Sequence, residues 1–208
     1  MDTPTPSLAR ERLKDAAIKL ILERGFAGAT LTPILNEAGL SKGALFHHFS
    51  GRDELMAEAY RKVLSDWMAT EKDLARKLLS ADISLQDRRT QTVSHCFSDS
   101  YIVTLELAVA VRTHSAIRKA ANGFQEWTRF REILWSTLCD LPGYSADAAA
   151  IHWEMLSFTL RGIAVRYSFG TEKRKPEELA AALITEQSRA DTLRNVADAA
   201  SVFADHGG

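Results

Sequence analysis

Only five prolines occur in this chain, and none of them falls between residues 34 and 141. Proline removes a backbone donor and breaks a helix from inside, so a long tract without it leaves helix available throughout. That tract is rich in Ala, Leu, Glu, Lys and Arg, and no segment alternates apolar and polar residues as a half-buried strand would. The expectation is an all-α protein. With 208 residues, 46% hydrophobic and 25% charged, the chain suits one compact domain, or a small domain fused to a larger one.

Local signals divide the chain into helices. Ser7 after Pro6 caps a first helix with Leu13, Ala16, Ala17, Leu20 and Ile21 at helical spacing, ended by Gly25. A short second helix begins at Thr32-Pro33 and stops at Gly39. A shorter third is capped by Ser41, with Leu40 and Leu45 at the two positions of a hydrophobic staple. Ser50-Gly51-Arg52-Asp53 has capping-box form and opens a long helix reaching Leu79. Beyond a break at residues 81–84, helices are expected at about 85–94, 97–112, 115–140 and 146–169. A last helix opens at Pro176.

Helices of about eight residues are marginal alone, so two of them joined by a glycine-bearing turn point to a helix-turn-helix, whose second helix enters the DNA major groove. The stretch GLSKGALFHHFSGRDEL meets the physical demands. Leu45 and Phe49, four apart, share a face that can bury against Leu20, Phe26, Leu31 and Ile34. Lys42, Gly43, Ala44, Phe46 and His47 are left for the other side. Gly43 and Ala44 add almost no bulk, so the backbone can approach base edges. Residues 39–52 hold Lys42 and Arg52 and no acid, a local positive footprint on a chain of net charge −1.

The block TLTPILNEAGLSKGALFHHFSGRDELMAEAY resembles the DNA-binding domain of the TetR (tetracycline repressor) family of bacterial regulators, over about residues 8–60. The Ala-Gly, Ser-Lys-Gly and His-Phe pairs and triplet are all in register with the family's pattern. The resemblance implies a homodimer whose paired recognition helices read a palindromic operator. It also implies a variable C-terminal helical domain that binds a small molecule and weakens DNA binding. The implied layout is a helix-turn-helix domain over residues 1–52 and a ligand-binding and dimerisation domain over 53–208. Carried over by position, Thr30 and Thr32 touch phosphate, Lys42, Gly43 and Ala44 face the groove, and His47 meets the backbone. With Ser41, Phe46 and Arg52 these are the candidate DNA contacts. Three positions depart from the pattern. Phe46 stands where the family has tyrosine, which removes a phenolic phosphate contact. Leu35 replaces a small alanine, and Pro33 lies in a first turn.

Competing chemistry is weaker. His47 and His48 are adjacent, so on a helix they point about 100° apart and do not share a ligand face. His95, Cys96, His114, Cys139 and His152 show no zinc-ligand spacing, and neither a phosphate loop, nor a nucleophile elbow, nor a paired-carboxylate motif occurs. No metal and no cofactor are expected. A small helical enzyme, or a ligand-binding protein or scaffold without specific DNA binding, is the alternative. Two cysteines suit a reducing cytoplasm, and neither a signal peptide nor a membrane-length apolar run appears.

Residues 85–169 carry many aromatics. Phe97, Tyr101, Leu105 and Ala108 fall at helical spacing, as do Phe124, Trp127, Arg131 and Leu134. Trp67, Phe97, Tyr101, Leu105, Arg112, Phe124, Trp127, Arg131, Met155 and Phe158 are the candidate ligand-binding residues. They suit a mostly apolar pocket with sparse polar groups, for a hydrophobic or aromatic effector. The dimer interface is expected on the last two long helices, where Leu160 and Leu183 are among the burying residues, an assignment that leans on the resemblance.

Overall fold

The computed structural model describes residues 6–121 and 146–167, with Lys175, Glu178, Leu179 and Ala182. Among the described residues the chain is helical and contains no strand. The helices are α1 (Pro6–Gly28), α2 (Leu31–Ala38), α3 (Lys42–His48), α4 (Arg52–Leu79), α5 (Leu85–Cys96), α6 (Asp99–Ala110), α7 (Ser115–Ala121) and α8 (Ala146–Tyr167). None of them is long and apolar enough to cross a membrane. The helix expected from Pro176, with Leu183, and the aromatic run Phe124, Trp127 and Arg131 lie outside the described residues.

Caps explain most of the boundaries, and several differ from expectation by a residue or two. Ser41 Oγ accepts from the Ala44 N–H at 3.1 Å, and Leu40 and Leu45 both join the core, as a staple requires. The cap of α2 is Thr30, not Thr32, so Pro33 falls at the third helical position. Its missing N–H there is one the first turn leaves unpaired anyway. The acid that reaches back at the start of α4 is Glu54, not Asp53. Its carboxylate accepts from the Ser50 N–H at 2.7 Å, a bond that holds its pKa below the usual range. The expected helix over 97–112 begins later. Phe97 ends α5, and Ser98 Oγ accepts from the Tyr101 N–H to start α6. Phe97 and Tyr101 therefore belong to different helices.

The helices group into two compact units. Among the described residues, those up to Asp73 and from Ser98 to Ala121 form one, and Leu74–Phe97 with α8 form the other. The first does not stop at residue 52. The eight-residue α2 and seven-residue α3, packed on α1, enclose too little apolar volume for a core of their own. The core beneath them therefore runs from Leu13, Leu20, Ile34, Leu45 and Phe49 through Leu55, Met56 and Tyr60 of α4, then on to Val103 and Leu107 of α6 and Ile117 of α7. In the second unit Leu74, Ala75, Val93, Cys96, Leu160 and Ala164 are buried.

Two left-handed residues end helices in this fold. Gly39, at φ 62° and ψ 39°, lets the Gly39 and Leu40 N–H groups bond back into α2. Ala81 adopts φ 59° after α4, with Asp82 N–H reaching the Lys77 carbonyl at 2.9 Å. A Cβ in this region costs about 1–2 kcal/mol. Gly39→Ala should therefore destabilise the protein by about 1 kcal/mol, while Ala81→Gly should be neutral or stabilising. Denaturant unfolding of the two variants checks the opposite signs.

Candidate nucleic-acid interface

α3 has seven residues, and its placement depends on what it buries. Leu45 is 0% exposed and Phe49 is 2% exposed. With that side sealed against the core, Lys42, Gly43, Phe46 and His47 are exposed, and Ala44 is half-buried. Thr30 and Thr32, at the start of α2, are exposed, as is Ser41. The candidate contacts thus share the two ends of one helix-turn-helix, with the small residues Gly43 and Ala44 among them.

Several cations around the helix-turn-helix are paired with acids, while Arg12, Arg24 and Lys42 are exposed and outside any salt bridge among the described residues. Arg10 bonds Glu58 at 3.1 Å, Lys19 bonds Glu37 at 2.6 Å, and Lys62 bonds both Asp15 at 2.5 Å and Glu11 at 3.1 Å. Lys42 makes no salt bridge among the described residues. Its Nζ lies 5.8 Å from the centroid of the Phe46 ring, within cation–π range. His47 and His48 meet edge-on, with ring centroids 4.9 Å apart.

Arg52 has a different task from the one its sequence position suggests. Its Nε donates to the Ala29 carbonyl at 2.9 Å, its Nη2 donates to the Phe26 carbonyl, and its guanidinium lies 4.4 Å above the Phe26 ring. These donors satisfy the carbonyls at the end of α1, a structural role that the expected phosphate contact of Arg52 did not include. Partial burial lowers its pKa, opposed by the nearby Asp53 charge. Position 52 therefore ties α4 to α1 at the edge of the reading head.

Phe26 is the centre of that junction, which the sequence left as ordinary core. The chain turns at Gly25, where φ 70° and ψ 170° leave helical geometry inside α1. The freed Phe26 N–H donates to Glu106 of α6 at 3.2 Å, and the Phe26 ring meets His114 edge-on at 4.9 Å. The glycine two residues into an Arg-Gly-Phe triplet was the available signal, and it marked a helix end rather than a junction. Arg52→Ala should lower stability by about 2 kcal/mol, the scale of lost hydrogen bonds from a charged donor, with a matching drop in the denaturation midpoint.

The expected pocket residues are only partly brought together. The rings of Trp67 on α4 and Tyr101 on α6 lie 6.3 Å apart, tilted by 40°. Leu105 is half-buried, but the buried face of α6 runs through Tyr101, Val103, Thr104, Leu107 and Ala110, and Ala108 is exposed. Arg112 is exposed beyond the end of α6. Met155 and Phe158 are exposed on α8, so these two do not line an enclosed site within the described chain.

Comparison with known proteins places this arrangement. The family of bacterial regulatory proteins, tetR family, matches residues 13–59, which run from the buried part of α1 into α4. The HTH-type transcriptional regulator BetI of Stenotrophomonas maltophilia is 34% identical over 177 residues, spanning 80% of this chain and 87% of that protein. The chain belongs to the TetR family. As a TetR-family protein it is a DNA-binding transcriptional regulator, and its relatives bear the names of regulators rather than enzymes. CymR of Pseudomonas putida, another HTH-type transcriptional regulator, is 28% identical over 174 residues, covering 81% of this chain and 83% of its own. Among solved structures, a transcriptional regulator from Saccharomonospora viridis in complex with choline shares the TetR-family fold. It has a TM-score of 0.65 at 19% identity and covers 86% of this chain and 95% of that one.

Proposed function

We propose that the protein is a homodimeric repressor that holds a palindromic operator with two copies of α3 and releases it on binding a small apolar or aromatic molecule. The observation that carries the reading is the outward face of α3: Lys42, Gly43, Phe46 and His47 exposed, no acid on the helix, and Lys42 outside every salt bridge among the described residues. Thr30 and Thr32 at the start of α2, with Ser41, Ala44 and His47, supply the remaining contacts. In full-length protein, selection from random duplexes should enrich an inverted repeat; enrichment of no repeat overturns the reading. Lys42→Ala should weaken binding across sequences and reduce the slope of log affinity against log salt by about one unit. Its unfolding midpoint should stay at the wild-type value. An unchanged slope would remove Lys42 from the phosphate contacts.

The dimer follows from α8. Ile151, Met155, Phe158, Gly162 and Val165 recur at spacings of four and three, the period that keeps an apolar seam on one side of a helix. The four side chains are 46–64% exposed in the single chain, and a Cβ built at Gly162 meets no atom within 4 Å. The opposite side of α8 buries Leu160 and Ala164 within the chain's own unit. Met155 and Phe158 therefore serve the partner helix rather than the effector, and a charge at position 160 would damage the fold instead of the dimer. Phe158→Glu places a carboxylate twice in a symmetric interface and should yield monomers in sedimentation, with tight operator binding lost. A dimer that survives Phe158→Glu would move the interface off this face.

For the effector, Trp67 and Tyr101 are the candidate aromatic pair that the described residues bring together, and the choline bound by the Saccharomonospora protein supports a small organic ligand. α4 carries Trp67 about 22 Å along the helix from Arg52, so a tilt at one end displaces the other. α6 carries Tyr101 and also Glu106, which holds Phe26 beneath Arg52. An effector coupled by about 1–3 kcal/mol would lower operator affinity roughly 5–150-fold.

A further inference from the structure

Phe46 is an apolar ring left in solvent on the surface that faces DNA. It is 49% exposed, while its neighbours Leu45 and Phe49 on the same short helix are sealed. The ring contributes nothing to the core, and it cannot take over the phosphate contact that a phenol would make, because it has neither donor nor acceptor. Among the described residues, the Lys42 ammonium lies 5.8 Å from its centroid. Of the features that base edges show in the major groove, hydrogen-bonding groups give such a ring no attraction. A carbonyl or amino group pressed against it loses water and gains no partner. The thymine C5-methyl is the apolar feature of that surface.

We infer that Phe46 is a specificity-determining residue that reads a thymine methyl in each operator half-site, favouring thymine by apolar contact and excluding polar base edges by desolvation. Attraction and exclusion act together, as specificity usually requires. Gly43, one turn earlier on the exposed surface, allows the helix backbone close enough for the ring to reach the base. Lys42 lies beside the ring, so the position that supplies charge to the backbone also steadies the aromatic reader.

The inference rests on the DNA-reading function proposed above, and its test separates the two. The operator is first obtained by selection from random duplexes with full-length protein. Each thymine of both half-sites is then replaced by deoxyuridine, which deletes only the methyl. With wild-type protein, one thymine position per half-site should lose about fourfold in affinity per methyl, the worth of burying one such group. That makes about sixteenfold when both half-sites are changed. Phe46→Ala should bind the thymine and uracil operators equally, and Phe46→Leu should keep part of the difference. Circular dichroism confirms that both variants are folded. If Phe46→Ala discriminates thymine from uracil as the wild type does at every position, the inference is overturned while the DNA-reading function stands. If selection enriches no sequence, that function falls and this role with it.

Discussion

A seven-residue helix has no stability of its own, so the surface α3 offers is governed by what lies beneath it. Leu45 and Phe49 are driven out of water into a core built by α1, α4, α6 and α7. Because they sit four residues apart, they orient the whole turn between them. Lys42, Gly43, Phe46 and His47 are outward as a direct result. The reading head is therefore oriented by a shared core, to which α1 and α2 contribute together with helices beyond residue 52. α4 and α6 share one continuous core with α3.

Charge follows a similar division. Most cations near the reading head, such as Arg10, Lys19 and Lys62, are paired with acids on neighbouring helices. Exposed pairs of this kind are worth little in stability, but they cancel the field around the head. Arg52 is withdrawn further, onto the carbonyls of Ala29 and Phe26 and the Phe26 ring. What is left exposed and outside a salt bridge among the described residues is Lys42 on α3, with Arg12 and Arg24 on α1.

The helix α8 divides its faces in a similar way. One side is consumed by Leu160 and Ala164 inside the chain. The other keeps a row of large apolar side chains in solvent, an expense that a soluble monomer has little reason to carry. Leu160 was expected on the exposed seam, yet it is buried within the chain, and the exposed row is made of Ile151, Met155, Phe158 and Val165 around Gly162.

Much of this was legible in the residues alone. The all-α class followed from the spacing of prolines and the lack of alternation. The helix-turn-helix followed from short helices bracketed by Gly39 and Ser41, and family membership from the motif between Thr30 and Tyr60. These are local properties, set by backbone propensity, caps and the 3.6-residue period, and they survive being read one segment at a time. The tertiary structure decided everything that depends on which side of a helix is covered. It made Arg52 an anchor for α1, because its reach to Ala29 and Phe26 depends on a crossing of α1 and α4 that no local pattern encodes. It separated Phe97 from Tyr101 at a cap and moved Met155 and Phe158 from a pocket to a surface. Periodicity shows that a helix has an apolar stripe; only packing between distant segments chooses whether core, ligand or partner covers it.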